Sequence, residues 1–136
     1  MLARVVALVL LAPSAALATS YVFDTQARGR LGGPVSFEFR ADSTTDAKRD
    51  VTSFTVCERT RDHTWKPVWS INGKALGTTP IVYAVVPPSW NTITPPQRLL
   101  ARRVYAAFAS DGHGGSSGLY FRFDAGGKMT FPDSPD

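Results

Sequence analysis

The residues best suited to chemistry lie in one glycine-rich segment, DGHGGSS, which runs from Asp111 to Ser117. Aspartate, histidine and serine are the residue types of a hydrolytic triad, in which a nucleophile, a base and an orienting carboxylate must touch. Nothing around the segment predicts the strand-turn-helix setting of a nucleophile elbow. Glycine, aspartate and serine are also ordinary loop residues, because they accept positive φ or form local hydrogen bonds. We therefore predict no catalytic residue, and a hydrolase or metal-dependent enzyme using Asp111 and His113 is the weaker alternative.

The histidines and the single cysteine do not have the spacing of a metal site. The chain has two histidines, His63 and His113, and one cysteine, Cys57. A structural zinc site needs four ligands at close spacing, so two distant loops would have to converge. We predict no metal ion and no cofactor. Cys57 is expected on the less buried face of its strand, and an intermolecular disulfide is the alternative for an unpaired exported cysteine.

A second candidate site is the tryptophan in the proline-bounded segment SWNTITPP. An exposed Trp90 ring could stack on a sugar or anchor a protein partner. The favoured alternative is a ring folded over the end of the core, because large aromatic side chains are usually buried. Loops at one end of a rigid scaffold commonly carry function, so the predicted binding surface combines Ser89 to Thr94 with Asp111 to Gly118. The predicted binding residues are Trp90, Asn91, Asp111 and His113.

The elements that must position these residues are strands. Val35 to Ala41 alternates apolar and polar residues, which is typical of a half-buried strand. Arg103 to Ser110 and Gly118 to Asp124 form a hairpin around the glycine-rich segment. About seven such strands follow one another at short spacing, and no segment has helical periodicity over three turns. This pattern predicts an all-β fold, an antiparallel two-sheet β-sandwich of about seven strands.

Three details of the prediction concern individual strands. Trp65 to Asn72 should place Trp65, Pro67 and Trp69 on one face, with the proline at an edge or a bulge because it lacks a ladder donor. Ile81 to Val86 should be a strand, and Ser89 to Pro96 a loop. The predicted core residues are Phe37, Phe39, Phe54, Trp69, Tyr105, Phe108, Phe121 and Phe123.

The segment before the hairpin carries a family resemblance. Leu99, followed six positions later by Tyr105 and alternating small apolar residues, resembles the corner before the sixth strand of fibronectin type III and other immunoglobulin-like domains. In that family the tyrosine hydroxyl ties the corner to the backbone; Ala101-Arg102-Arg103 stands here where the family has a proline-glycine turn. Residues 35 to 131, with FTVCER and WKPVWSIN, are also similar to short exported proteins of Gram-negative bacteria. The resemblance implies a sandwich that acts as a binding or structural module.

The N-terminal residues indicate export. Arg4 precedes an apolar run of about eight residues, too short to span a bilayer, and Ala16-Leu17-Ala18 has the small-x-small form of a cleavage site. We predict a signal peptide at 1–18, a flexible segment at 19–34, the sandwich at 35–131 and a tail at 132–136. The expected location is therefore the periplasm or the exterior.

The distribution of charge bears on the class of partner. The chain carries 15 Lys and Arg against 11 Asp and Glu, a formal charge of +4. The basic residues are scattered along the chain and form no block of like charge, which argues against nucleic acid as a binding partner. We expect a non-enzymatic module that contacts an envelope protein or glycan through its end loops, and an inhibitor or immunity-type protein is the alternative.

Overall fold

The chain folds into nine β-strands in two antiparallel sheets. This computed structural model describes residues 23–41, 51–75, 79–112 and 114–136, so the predicted signal peptide lies outside it. No helix occurs within the described residues, and the predicted all-β two-sheet sandwich is confirmed. The strands are β1 (Phe23–Gly29), β2 (Val35–Ala41), β3 (Ser53–Arg59), β4 (Trp65–Asn72), β5 (Ile81–Val82), β6 (Asn91–Thr94), β7 (Val104–Ser110), β8 (Ser116–Phe123) and β9 (Met129–Thr130).

The two sheets differ in width and are joined along one side. The narrow sheet has the order β1-β2-β5, and the wide sheet has the order β6-β4-β3-β7-β8-β9. Arg30, just after β1, forms an antiparallel bridge with Lys128, just before β9. Next to this bridge, the Leu31 N–H donates to the Gly127 carbonyl at 3.0 Å. The opposite edges, β5 and β6, are joined by no bridge between described residues.

The core lies between the sheets and is rich in aromatic rings. Phe37 of β2 meets Phe54 of β3 at 4.8 Å and Phe121 of β8 at 5.7 Å between ring centroids. Seven of the eight predicted core residues are buried, all except Phe108. Phe108 is half-buried on the outer face of the wide sheet, where its ring covers Gly118. The core face of β7 consists instead of Tyr105 and the small residues Ala107 and Ala109.

A β-bulge in β4 changes which side chains face the core. Val56 pairs with Trp69 but Cys57 pairs with Pro67, so Val68 is an extra residue in β4. Val68 and Trp69 are consequently both buried, at 2% and 0% exposure. The prediction of a bulge or edge at Pro67 is confirmed, since proline has no N–H to donate to the ladder. The expected regular alternation along β4 is wrong, because the extra residue reverses the faces beyond Pro67.

The segment expected to be flexible contains the first strand. Phe23–Gly29 pairs along its whole length with β2. Phe23 is 2% exposed and packs edge-on against Phe39, with ring centroids 6.3 Å apart. Its inward positions carry only one large apolar residue, so the sequence pattern was too weak to reveal the strand.

The connection between β4 and β7 also differs from prediction. Only Ile81–Val82 of the expected strand pairs with β2, because Ala84 takes a φ of 69° and turns the chain out of the sheet. The expected loop contains β6, Asn91–Thr94, which pairs with the C-terminal end of β4. Three of the four residues of β6 are β-branched, which favours a strand, and pairing with β4 provides its hydrogen bonds.

Candidate functional site

The two segments of the predicted binding surface do lie at the same end of the wide sheet. Asn91 at the start of β6 pairs with Asn72 of β4, which pairs with Ser53 of β3. Ser53 in turn pairs with Ser110 at the end of β7. Two strands thus separate the segments, a distance of about 14 Å at the usual strand spacing. One ligand could contact both, provided that their side chains are exposed.

Trp90 is not exposed at this end. Its side chain is 7% exposed, and its Nε1–H donates to the Lys74 carbonyl at 2.8 Å. The ring lies so close to Gly73 that a Cβ there would be 2.4 Å from it. The alternative of a tryptophan folded over the core therefore describes the structure, and the ring offers no stacking face. Asn91 is exposed.

Asp111 closes the turn between β7 and β8. It is 3% exposed, and its Oδ1 accepts the Gly115 N–H at 2.9 Å. A backbone hydrogen bond from the Asp111 N–H to the Gly115 carbonyl, at 3.0 Å, closes the same turn. Ser117 accepts a hydrogen bond from Thr25 of β1 at 2.9 Å. His113 lies outside the described residues, so the weaker alternative of an enzyme that uses Asp111 with His113 is not tested.

Cys57 is shielded rather than reactive. Its side chain is 8% exposed, and burial raises the pKa of its thiol to about 11, so it is protonated at neutral pH. The expectation of a less buried position is wrong because two aromatic side chains cover the outer face of the sheet. Trp65 of β4 and Tyr120 of β8 stack at 5.8 Å with planes 6° apart. Their rings meet over β3 and β7, where Cys57 pairs with Ala106.

No three His, Cys, Asp or Glu side chains of the described residues converge as metal ligands. His63, one of the two histidines weighed for a metal site, instead places Nδ1 2.9 Å from Asp136 Oδ1. Asp136 also accepts hydrogen bonds from Arg59, at 3.2 and 3.0 Å. These hydrogen bonds, the one from Arg59 first, hold the pKa of the Asp136 carboxyl below its usual value. The predicted tail at 132–136 is therefore held at Asp136.

A cationic cleft opens where β3 ends and β4 begins. Its volume is about 430 Å³. The residues lining it are Glu58, Arg59, Thr60, Arg61, Lys66 and Arg103. Four of these side chains are cationic and one is acidic. Glu58 forms an ion pair with Arg103, so the acidic group is already engaged by one cation.

The remaining cations divide into one paired and two unpaired groups. Arg59 is held by Asp136 and also lies 5.0 Å from the centre of the Trp65 ring. Arg61 and Lys66 are exposed and form no ion pair with any described residue. The cleft therefore has two cations free to meet an anion, beside two others that already hold carboxylates.

This cleft was not predicted, because its basic residues are scattered along the sequence. Arg59 and Lys66 flank one hairpin turn, so their proximity could have been inferred from the pairing of β3 with β4. Arg103 joins them only through the register of β3 with β7, in which Glu58 pairs with Tyr105. That register depends on long-range pairing, which residue spacing does not indicate.

The corner before β7 is fixed by Tyr105. Its hydroxyl accepts the Leu100 N–H at 2.7 Å, and the side chain is 1% exposed. Burial raises the pKa of this hydroxyl, so it remains protonated at neutral pH. Arg102 takes a φ of 65°, and its N–H donates to the Phe123 carbonyl at 2.8 Å. The corner thus keeps a left-handed turn without glycine.

Comparison of the chain with models of known protein families, with curated proteins and with solved structures finds no match. No helix in the described part of the chain is long and apolar enough to cross a bilayer.

Proposed function

We propose that this protein is an exported binding module of the cell envelope, with a fibronectin type III-like or immunoglobulin-like sandwich. The signal-like N-terminal sequence supports export to the periplasm or the exterior. Two features support the fold family. The first is the strand order: β1-β2-β5 lies opposite β3-β7-β8, as the A-B-E strands lie opposite the C-F-G strands in such sandwiches. The second is the hydroxyl of Tyr105, which binds the backbone at the expected corner.

The proposed binding site is the cationic cleft, and the proposed ligand is an envelope glycan that carries phosphate or carboxylate groups. The observation that carries this proposal is that Arg61 and Lys66 share the cleft and form no ion pair with any residue that the structure describes. Like charges held close together destabilise a fold unless something offsets their repulsion, and an anionic ligand would do so. Arginine and lysine both bind phosphate and carboxylate through charge-assisted hydrogen bonds.

This site replaces the end loops as the main binding surface of the proposal. At that end, the Trp90 ring and the Asp111 carboxyl serve internal contacts, which leaves Asn91 as the exposed member of the predicted set among the described residues. Binding without catalysis is the simpler activity for the cleft, because its groups are cations rather than an acid-base pair. We propose that binding at the cleft requires no cofactor.

The test is binding of dextran sulfate to the full chain by calorimetry, with neutral dextran as the reference polymer. Each exposed ionic contact is worth about 0.2–1 kcal/mol. The double substitution Arg61→Gln with Lys66→Gln should therefore weaken binding by about 1.4 kcal/mol, roughly tenfold. Raising the salt concentration should weaken binding by the unaltered protein as well, because exposed charges are screened.

The matched control is Arg28→Gln with Arg40→Gln. These arginines are also exposed and lie beside Glu38 on the narrow sheet, so the control removes the same charge outside the cleft. It should change dextran sulfate affinity by less than about twofold, the scale of general charge effects. Equal losses in both double variants, or equal binding of neutral dextran, would refute the cleft as the site.

A further inference from the structure

A second pocket, separate from the cationic cleft, opens beside the tyrosine corner. Its volume is about 530 Å³, within the range of small-molecule sites. Three segments form its walls: the turn after β1, the turn after β5, and residues 96–101 before the corner. Its apolar lining includes Leu31, Val35, Tyr83, Leu99 and Leu100. The proposed glycan-binding function uses none of these side chains.

Hydrogen bonds hold the walls of this corner pocket in place. The Gln97 N–H donates to the Val68 carbonyl at 2.9 Å, and the Tyr83 hydroxyl donates to the Gln97 carbonyl at 2.6 Å. The bond from the Leu100 N–H to the Tyr105 hydroxyl fixes the next part of the same wall. The pocket therefore exists before any ligand arrives, which lowers the ordering cost of binding.

The Tyr83 hydroxyl already donates to backbone carbonyls, so this residue lines the pocket with its ring. The ring is held from behind by Trp69, with centroids 5.0 Å apart. Leu100 also lines the pocket, and its side chain is 40% exposed. A ligand with an apolar body would cover Leu100 and remove this area from water.

The only charge in the lining of the pocket is positive. Arg98 is the one charged residue in the lining, which contains no aspartate or glutamate. Arg98 is exposed and forms no ion pair with any described residue. A single guanidinium at the rim of an apolar pocket complements a ligand that has one anionic end and an apolar body.

We propose that the corner pocket binds a single-chain fatty carboxylate, with the chain against Leu99 and Leu100 and the carboxylate at Arg98. The proposal does not depend on glycan binding at the cationic cleft, since the two sites share no lining residue. It assigns the pocket a carrier or sensing role for amphiphilic acids.

The test is calorimetric titration of the full chain with dodecanoate below its micelle concentration, with dodecanol as the neutral probe of equal length. Saturable binding of one dodecanoate per chain is expected. Arg98→Gln should weaken dodecanoate binding about three- to fivefold, as for the loss of one exposed ionic contact, and should change dodecanol binding less than about twofold. Leu100→Asp should abolish binding of both, because it places a carboxylate against the chain.

The double substitution Arg61→Gln with Lys66→Gln is the control that separates the two sites. It should leave dodecanoate affinity unchanged while it weakens dextran sulfate binding. The proposal is overturned by any of three results: no saturable dodecanoate binding, equal weakening of both probes by Arg98→Gln, or loss of dodecanoate binding in the cleft variant. Leu100 is exposed, so its variant should fold, and an unchanged melting temperature checks this.

Discussion

The hydroxyl of Tyr105 makes one contact whose worth can be calculated and measured. Tyr105→Phe removes the acceptor of the Leu100 N–H and leaves the ring, which stacks on Phe121 at 5.3 Å, in place. Net loss of a hydrogen bond costs about 0.5–1.5 kcal/mol, and a buried group left without a partner costs about 1–3 kcal/mol. Leu100 is 40% exposed, so water reaches part of this corner. We therefore expect a loss of about 1–2 kcal/mol in the free energy of unfolding.

The measurement is equilibrium unfolding in urea, followed by tryptophan fluorescence, which reports on the buried Trp69. The unfolding midpoint should fall with an unchanged m-value, because the surface exposed on unfolding stays the same. In a thermal scan the same loss should lower the melting temperature by roughly 4–10 °C.

The matched control is Tyr120→Phe. The Tyr120 ring stacks on Trp65, and its hydroxyl forms no hydrogen bond with any described residue. Its loss should cost less than about 0.5 kcal/mol, as for surface substitutions. If the two variants lose equal stability, or if Tyr105→Phe loses less than about 0.5 kcal/mol, the corner hydrogen bond does not have the assigned role.

Three further predictions concern other sites. Gly73→Ala should cost about 1–3 kcal/mol of stability because its Cβ would meet the Trp90 ring, whereas Gly33→Ala, with its nearest neighbour at 3.7 Å, should be tolerated; equal melting temperatures would contradict this. Burial raises the pKa of Cys57 to about 11, so the unfolded thiol ionises first and stability should fall between about pH 9 and 11; Cys57→Ala should reduce that slope, and an unchanged slope would count against it. Asp136→Asn should free Arg59 in the cationic cleft and tighten dextran sulfate binding about two- to threefold, since an exposed ionic contact is worth less than about 1 kcal/mol; weaker binding would show that Asp136 supports the cleft instead.

The sequence was most informative where structure depends on local pattern. Alternation along Val35–Ala41 predicted a strand with its apolar side in the core, and the residues are buried in that order. The family resemblance at Leu99 and Tyr105 implied a bond from the corner to the tyrosine hydroxyl, and that hydroxyl does accept the Leu100 N–H. Pro67 predicted an irregularity in β4. Each of these follows from the geometry of a few neighbouring residues.

Prediction failed where the structure depends on pairing or packing between segments that are far apart in the chain. β6 is a strand because β4 offers it an edge, and the burial of Trp90 depends on the space above Gly73. The cationic cleft requires the register of β3 with β7. No spacing within a single segment encodes these pairings, so Arg103 could not be assigned to the cleft from sequence, although one hairpin already brings Arg59 and Lys66 together.

The closure of the sandwich along β1 and β8 also determines when the fold can be completed. Thr25 binds Ser117, 92 positions later, and Arg30 binds the Gly126 carbonyl, 96 positions later. Such separations make folding slow, on the order of milliseconds to seconds for β-rich domains. The first strand emerges early in synthesis but must wait for the last strands before this side can close. Until then the inward side of β1 has no cover from the wide sheet, so a holding chaperone would have the whole period of synthesis in which to act.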